Sequence, residues 1–393
     1  MSADTGRAQP GFFGLELLDD RYPALHGLRV VAILSVIQLH VTAELAFMRI
    51  DLPHWFTERS HSLFFGMDGF FVLSGFLIGS ILLRSIDVSG TQNLRRFYLR
   101  RVFRTFPAFY ITLTTLILCF PTTAAQQANV IWEYLYLSNV GVMHRLQMVM
   151  PWDWSLSLEE QFYLAVPLLF VVLRRLSSDR ARIVFLSMLV LSALFVRAAI
   201  YASQAEWELR GLEDALYFRT TTRYDTIVTG VLLAVVEMRY RDRLGAWLKD
   251  PGHRALLLVP AIGCAWVLMD ARVFGEDAEL VVDLFRWGTL TSLFYLAVVP
   301  VLLHGEGPIT RFLSRPLWRR LATVGYGVYL VHLPILGGAV RPVVAIARRL
   351  AMPGFAIWTM AFALTVLLSF AMGYLMHILI EKPSLRIRDR IAG

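Results

Sequence analysis

Hydrophobic and polar positions alternate along the chain in long blocks, and ten of the apolar blocks can each cross a hydrocarbon core of about 30 Å as a helix. The ten blocks lie at 24–47, 63–83, 105–120, 154–173, 183–202, 217–237, 255–270, 286–303, 321–340 and 355–380. No internal repeat, low-complexity tract or long linker separates them. We therefore predict an all-α, polytopic transmembrane helical bundle, with a short N-terminal segment (1–23) and a single membrane domain (24–393).

The connections between the blocks carry charges that predict their side of the membrane. Four connections are rich in arginine: 84–104, 174–182, 238–254 and 304–320. Two others carry several carboxylates: 203–216 with Glu206, Glu208, Glu213 and Asp214, and 271–285 with Glu276, Asp277, Glu279 and Asp283. Because arginine-rich connections stay in the cytoplasm, an even number of spans predicts that both termini are cytoplasmic. One connection disagrees, since Arg341, Arg348 and Arg349 fall on the predicted outer side.

Composition narrows the class of protein. The 393 residues are 56% hydrophobic and only 17% charged, which is too apolar for a soluble domain. The net charge of +8 comes from arginine clusters beside the spans, which membrane orientation explains better than nucleic-acid binding. Cys119 and Cys264 both lie in apolar stretches, so neither a disulfide framework nor a cysteine metal site is expected. Residues 1–23 hold four carboxylates and no signal-peptide core, so we expect the first span to target the chain.

The first span carries two ionisable residues, Arg29 and His40, eleven positions apart. In an α-helix this spacing places them on one face, within about 20° of each other and about 16 Å apart along the axis. One interpretation is an arginine that reaches the headgroups and a histidine that bonds a neighbouring helix. The functional interpretation is favoured because ionisable groups inside spanning helices usually mark a site.

The second span places Asp68 at about the depth of His40. A carboxylate there would orient the imidazole or raise its basicity, whereas the alternative is a side chain wetted at the interface. Gly75 and Gly79 are typical of a face that packs closely against another helix. The Ser74 hydroxyl has no evident base beside it, so we expect it to bond its own helix.

The fourth span begins on the outer side and brings Glu159 and Glu160 within two turns of that surface. Successive helix residues diverge by about 100°, so we expect at most one of the two to face a central cavity. We take Glu160 as the candidate. His40, Asp68 and Glu160 are therefore the predicted catalytic residues in the outer half of the bundle.

Two later spans supply candidates for a substrate cavity. The sixth opens with a half-helix, 219–225, that is too polar for lipid and must face protein or water, and it includes Arg223 and Asp225. On the ninth, Tyr329 and His332 share one stripe with Tyr326. His332 is either a second functional group or a core histidine bonded to another helix.

On the predicted cytoplasmic side, Arg100, Arg101 and Arg104 precede Pro107 at the entry to the third span. Arginine binds phosphate through several donors at once. A cluster that only fixes membrane orientation would look similar. Together with Arg29, however, this cluster could hold a phosphorylated donor beneath a route across the membrane.

These motifs, in this order, resemble the acyltransferase 3 family of integral-membrane O-acyltransferases from about Tyr22 to Ile387. The resemblance rests on His26-Gly27-Leu28-Arg29 with His40, Asp68 to Ile78, Arg100 to Pro107, Trp154 to Tyr163, Arg223-Tyr224-Asp225 before Gly230, Tyr329 to His332 and Ile380 to Pro383. The family's essential arginine and histidine fall on Arg29 and His40. The chain departs from the family in His26, where aspartate is usual, and in Val30, where glycine is frequent.

The resemblance implies transfer of a short acyl group, most simply acetyl, from cytoplasmic acyl-CoA to a hydroxyl of an extracytoplasmic glycan or glycolipid. It places the protein in a bacterial inner membrane, with His40 as general base, the four arginines on the CoA phosphates and no metal. Family members with a fused esterase-like domain are longer, and we expect none here.

Two alternatives remain from the sequence. Charged residues within spans and a polar half-helix also describe the path of a non-enzymatic transporter, although no interrupted helices occur in matching halves. The acceptor could also be a small secreted natural product. The sequence does not separate that acceptor from an envelope glycan.

Overall fold

The computed structural model describes residues 13–89, 94–204, 207, 209–270 and 279–392, which are almost entirely helical and contain no strand. Residues 1–12 of the predicted N-terminal segment, and Glu206, Glu208, Glu276 and Asp277 of the predicted outer connections, lie outside this part of the chain. The helices of the first half are α1 (Pro23–Phe47), α2 (His54–His61), α3 (Phe65–Ser89), α4 (Leu94–Cys119), α5 (Ala124–Tyr134), α6 (Ser138–Met143), α7 (Trp154–Arg175), α8 (Asp179–Ala202) and α9 (Leu209–Tyr217).

The second half continues the same pattern. Its helices are α10 (Thr220–Trp247), α11 (Pro251–Met269), α12 (Glu279–Phe285), α13 (Thr291–His304), α14 (Pro308–Leu313), α15 (Pro316–Thr323), α16 (Gly325–Ile335), α17 (Arg341–Arg349), α18 (Gly354–Met376) and α19 (Lys382–Ala392). Single π-helical turns join α12 to α13, α16 to α17 and α18 to α19. Each of the ten predicted spans falls on one of these helices or on such a joined pair.

Nine helical stretches in the described part of the chain are long and apolar enough to span a membrane. The exception among the ten predicted spans is α10, whose polar first turns lower its hydropathy. Those turns are nevertheless inside the protein, because Thr222, Arg223 and Asp225 are completely buried. The all-α, polytopic bundle is therefore confirmed, and its polar helix is sheltered from lipid by its neighbours.

Helices α3 and α10 touch backbone to backbone. A Cβ atom on Gly75 would overlap the carbonyl oxygen of Ile227, and one on Gly230 would overlap the carbonyl oxygen of Val72. A Cβ atom on Gly79 would lie 2.8 Å from Ala234 Cβ and 3.0 Å from Val231 Cα. The predicted small-residue face of the second span thus packs on α10, and this close approach brings the polar side chains of α10 into the bundle centre.

Parts of the connection between α4 and α7 pack into the bundle, although much of α5 is exposed. Ser138 is buried and bonds the Ser157 hydroxyl at 2.6 Å. Trp152 and Asp153, which immediately precede α7, are buried as well. Helix α7 therefore begins among buried side chains, and Glu159 and Glu160 lie within its first two turns. Their depth below the outer surface stays a prediction.

The first and last described segments of the chain meet at one end of the bundle. Lys382 Nζ donates to the Gly14 carbonyl at 2.7 Å, and the Arg386 and Glu16 side chains lie 3.7 Å apart. This placement agrees with an even number of spans. At the opposite end, Arg341 pairs with Glu44 at 2.6 Å, so its charge is neutralised locally and does not argue against the orientation.

Candidate active site

Three cavities follow one another through the described part of the bundle. We call them the inner cavity, of about 300 Å³, the middle cavity, of about 120 Å³, and the outer cavity, of about 380 Å³. Arg29, Arg101 and Arg104 line both the inner and the middle cavity, while Met67 and Tyr329 line both the middle and the outer one. The shared wall residues place the three cavities next to one another along α1.

The inner cavity is strongly basic. The four residues predicted to hold the donor all line it, and further arginines join them: Arg21, Arg29, Arg84, Arg100, Arg101, Arg104 and Arg388. Several guanidinium groups around one cavity suit a ligand with more than one phosphate. The sequence did not identify Arg388 of α19 as a candidate, because an arginine in a C-terminal tail is usually explained by membrane orientation. Only the packing of α19 against α4 brings it to the inner cavity.

The middle cavity brings both glutamates of α7 together with the arginines. Glu159 accepts a 3.0 Å hydrogen bond from the Tyr163 hydroxyl, and Glu160 accepts one of 3.2 Å from Thr105. Both glutamates line the cavity, so the expectation that at most one would do so is wrong. The cavity is lined by α3 on one side of α7 and by α4 on the other. For this reason the successive residues Glu159 and Glu160 both reach it.

Ser74 and Arg101 close the network around Tyr163. The Ser74 hydroxyl lies 2.6 Å from the Tyr163 hydroxyl and does not take the expected bond within its own helix. Arg101 Nη1 donates to the same hydroxyl at 3.2 Å, and its guanidinium lies 4.4 Å from the ring centroid. Burial raises the pKa of nearby Tyr136, outside the spans, so its phenol stays neutral in the cavity wall.

The outer cavity holds His40 among aromatic side chains. His332 Nε2 lies 3.0 Å from His40 Nδ1, and His332 Nδ1 lies 2.6 Å from the Tyr329 carbonyl oxygen. The Tyr329 hydroxyl contacts Ser155 at 2.8 Å. The other ring-bearing residues on the wall are Phe64, Trp152, Trp154, Tyr217 and Phe218. A half-buried imidazole in an apolar chamber is well placed to take a proton from a bound hydroxyl.

Asp68 does not contact His40, contrary to the predicted pairing. Its Oδ1 lies 2.7 Å from Arg223 Nη2, and both side chains are fully buried. Asp225 pairs in the same way with Arg197 at 2.9 Å. A buried charge needs an opposite charge at hydrogen-bond distance, and α10 supplies it to α3 and α8. The sequence analysis did not consider Arg197. It is a lone arginine inside the fifth span, and such a residue usually has a buried partner or a function.

The predicted catalytic residues therefore occupy three different places. His40 lies in the outer cavity, Glu160 in the middle cavity and Asp68 in an ion pair with Arg223. Of the four predicted substrate-cavity residues, Tyr329 lines the outer cavity and His332 bonds His40, whereas Arg223 and Asp225 are committed to buried ion pairs. Within the described residues, no group of three or more histidine, cysteine or acidic side chains could hold a metal ion.

Comparison with known proteins identifies the family. A family model described as an acyltransferase domain, Acyl_transf_3, matches residues 22–374. The chain belongs to the acyltransferase 3 family. No solved structure matches this family member. The sequence resemblance is thereby confirmed over nearly its whole stated length, and the bundle is that of a multi-pass membrane acyltransferase domain.

Two curated bacterial relatives illustrate the similarity. The chain is 30% identical over 334 residues to "Putative peptidoglycan O-acetyltransferase YrhL" of Bacillus subtilis (strain 168), a match that covers 80% of this chain and 48% of that protein. It is 26% identical over 336 residues to "O-acetyltransferase OatA" of Staphylococcus aureus (strain NCTC 8325 / PS 47), covering 82% and 52%. The chain spans about half the length of these relatives.

Proposed function

We propose that this chain transfers a short acyl group, with acetyl the first candidate, from cytoplasmic acyl-CoA to a hydroxyl of an extracytoplasmic glycan or glycolipid, in a bacterial inner membrane. The observation that carries the proposal is the series of three cavities from the arginine cluster to His40. The names of the two relatives support an acetyl group and, for one of them, peptidoglycan as acceptor.

The donor fits the cavities in one orientation. The inner cavity, lined by Arg29, Arg100, Arg101 and Arg104, would hold the CoA phosphates. The middle cavity is the smallest of the three, so it suits a thin pantetheine arm better than a nucleotide. Arg29 and His40 are about 16 Å apart along α1, which is the distance this arm must cover to bring the thioester to the outer cavity.

The chemistry proposed for the outer cavity is general base catalysis. His40 removes the proton from the acceptor hydroxyl while its oxygen attacks the thioester carbonyl. The tetrahedral intermediate collapses to the ester and the CoA thiolate, which takes the proton back from His40 as CoA-SH. Such base catalysis contributes about 10²- to 10⁴-fold to the rate. We favour direct transfer, because Ser74 lies in the middle cavity and, within the described residues, bonds the Tyr163 hydroxyl and no histidine.

Sealed proteoliposomes of uniform orientation test the proposal. Acetyl-CoA on the side of the chain termini should support acetylation of a soluble peptidoglycan fragment confined to the other compartment. The same liposomes with His40→Ala should bind acetyl-CoA but transfer at most about 1% as fast. Transfer only when both substrates share the side of the termini would refute the cross-membrane arrangement.

The same assay addresses the other functions. Uptake of a solute without consumption of acetyl-CoA would indicate a transporter. Acetylation of small secreted alcohols, but not of the glycan fragment, would indicate a natural-product acceptor. Near-normal transfer by His40→Ala would remove His40 from the mechanism whatever the acceptor is.

A further inference from the structure

The two histidines of the outer cavity form an ordered chain of hydrogen bonds that ends on a backbone carbonyl. Tyr329 O lies 2.6 Å from His332 Nδ1, and His332 Nε2 lies 3.0 Å from His40 Nδ1. The two ring centroids are 5.0 Å apart. His332 is almost completely buried, whereas His40 is half-buried and reaches the cavity.

The carbonyl determines where the protons lie. A carbonyl oxygen only accepts, so His332 Nδ1 at 2.6 Å must carry the hydrogen. A neutral imidazole has one N–H, and Nε2 of His332 is therefore an acceptor. The hydrogen in the bond between the rings must then belong to Nδ1 of His40. This assignment leaves Nε2 of His40 as an unprotonated nitrogen for a substrate in the cavity.

We infer that His332 is a positioning residue that fixes His40 as the Nδ1–H tautomer and thereby makes Nε2 the nitrogen that accepts the substrate proton. The inference rests on the proposed role of His40 as general base. It names the reactive atom and gives His332 a function distinct from contact with substrate. Second residues of this kind orient imidazoles in many active sites.

The proton balance supports this arrangement. When Nε2 of His40 takes the hydroxyl proton, His40 becomes an imidazolium whose Nδ1–H already points at a neutral acceptor, Nε2 of His332. The positive charge is thus stabilised by a bond that exists before the reaction. After the tetrahedral intermediate expels the CoA thiolate, the thiolate takes the proton from Nε2, and both rings return to their initial tautomers.

The His332 ring is held in place from several sides. Its Nδ1 is tied to Tyr329, whose hydroxyl bonds Ser155 at 2.8 Å and also contacts the Trp152 carbonyl. The Trp152 ring packs edge-on against His332 with centroids 6.5 Å apart. These contacts link α16 to the start of α7, so the acceptor nitrogen of His332 has one orientation.

Nitrogen-15 NMR of full-length protein labelled at histidine tests the tautomer directly, without an activity measurement. The His40 resonances are identified as those lost in His40→Gln. We expect them to report a protonated Nδ1 and an unprotonated Nε2 in the wild type. In His332→Leu they should move to the opposite tautomer or to an exchange average. A wild-type His40 protonated at Nε2 would overturn the inference, whether or not His40 proves essential for transfer.

Kinetics of two substitutions at one position complete the test. His332→Leu removes the acceptor and should lower kcat by about 10- to 100-fold with little change in KM for acetyl-CoA. His332→Gln places an amide oxygen near the position of Nε2, where it can accept from His40, and should recover a large part of that loss. Equal kcat values for the two variants and the wild type would contradict a positioning role, as would a loss confined to KM.

His253→Leu is the matched control. The His253 ring also bonds a backbone carbonyl, that of Trp247, through Nδ1 at 3.0 Å, but it lies at the start of α11. Its substitution should leave both kcat and the His40 resonances unchanged. If His40→Ala kept its transfer activity while the wild-type tautomer was as inferred, the proposed function would fail and the hydrogen-bond assignment would stand.

Discussion

Asp68 Oδ1 lies 2.7 Å from Arg223 Nη2, and neither side chain has any solvent-accessible surface. The pair joins α3 to α10 beside their backbone contact at Gly75 and Gly230. Since each charge is compensated chiefly by the other, removal of one partner leaves an uncompensated ion in the bundle centre. We therefore expect the pair to contribute to the stability of the fold and not to the proposed transfer reaction.

Arg223→Leu should destabilise the protein by about 3–5 kcal/mol, because it strands the Asp68 carboxylate. Thermal unfolding in detergent measures the effect. The double variant Asp68→Leu/Arg223→Leu should recover a large part of the loss. As a control, Arg145→Leu breaks an exposed pair with Asp214 and should cost less than about 1 kcal/mol. Equal costs for Arg223→Leu and Arg145→Leu would contradict this account.

Arg29→Ala should weaken acetyl-CoA binding by about 10- to 100-fold, because a charged hydrogen bond contributes about 1.5–3 kcal/mol. Its guanidinium lines both the inner and the middle cavity. Isothermal titration of detergent-solubilised protein measures the change. The exposed Arg349 of α17 is the control, since Arg349→Ala should leave the affinity unaltered. Unchanged affinity in Arg29→Ala would remove this residue from the donor site.

Gly75→Ala should separate α3 from α10, because the new Cβ atom meets the carbonyl oxygen of Ile227, which cannot move without its helix. Overpacking of this kind costs about 1–3 kcal/mol or more. Gly263→Ala is the comparison, since a Cβ on Gly263 meets nothing within 4 Å. It should be neutral or stabilising. A melting temperature of Gly75→Ala at or above that of Gly263→Ala would refute the close contact.

The Glu133 carboxyl group should make the free energy of unfolding depend on pH. Burial raises the pKa of this carboxyl, in α5 and outside the spans, from its ordinary 4.5 to about 7, against the opposing effect of hydrogen bonds from the Met150 and Val149 amides. Between these two values the folded protein binds more protons than the unfolded chain. This contribution is therefore fully present below pH 4.5, is lost as the pH rises, and levels off above 7.

Glu133→Gln removes the titration and keeps one acceptor for the backbone. The melting temperature of the wild type, relative to that of the variant, should fall between about pH 4.5 and 7. Scanning calorimetry at several pH values in this interval measures the difference. A difference that stays constant, or rises with pH, would show that the carboxyl is ionised in the folded protein throughout.

Hydropathy was sufficient to predict the spans, because apolar length is a property of each segment by itself. Even the polar α10 was placed, since its middle, 227–236, is apolar and its first turns could only face protein or water. The clustering of arginines at one cavity was likewise predictable. Arg100, Arg101 and Arg104 lie close together in sequence, and any helix that begins near them brings them to one end of the bundle.

The partners of the buried charges were not predictable. Whether Asp68 meets His40 or Arg223 depends on the rotation and depth of α3 against α1 and α10, and the close approach at Gly75 decides it. The contacts of Glu160 depend on how α7 packs against α4, where Thr105 donates to its carboxylate. Both features come from tertiary packing, which the local periodicity of the sequence does not predict.

The inward-folding connection also sets an order of assembly during synthesis. The Asn139 amide donates to the Phe218 carbonyl at 3.1 Å and to Thr220 at 3.0 Å, residues made about 80 positions later. At a synthesis rate of about 5–20 residues per second, these acceptors are made on the order of 4–16 s after α6. Because Tyr329 and Leu333 of α16 also line the outer cavity, that cavity is complete only after α16 has been made. A nascent chain that stops earlier has His40 but no complete cavity around it.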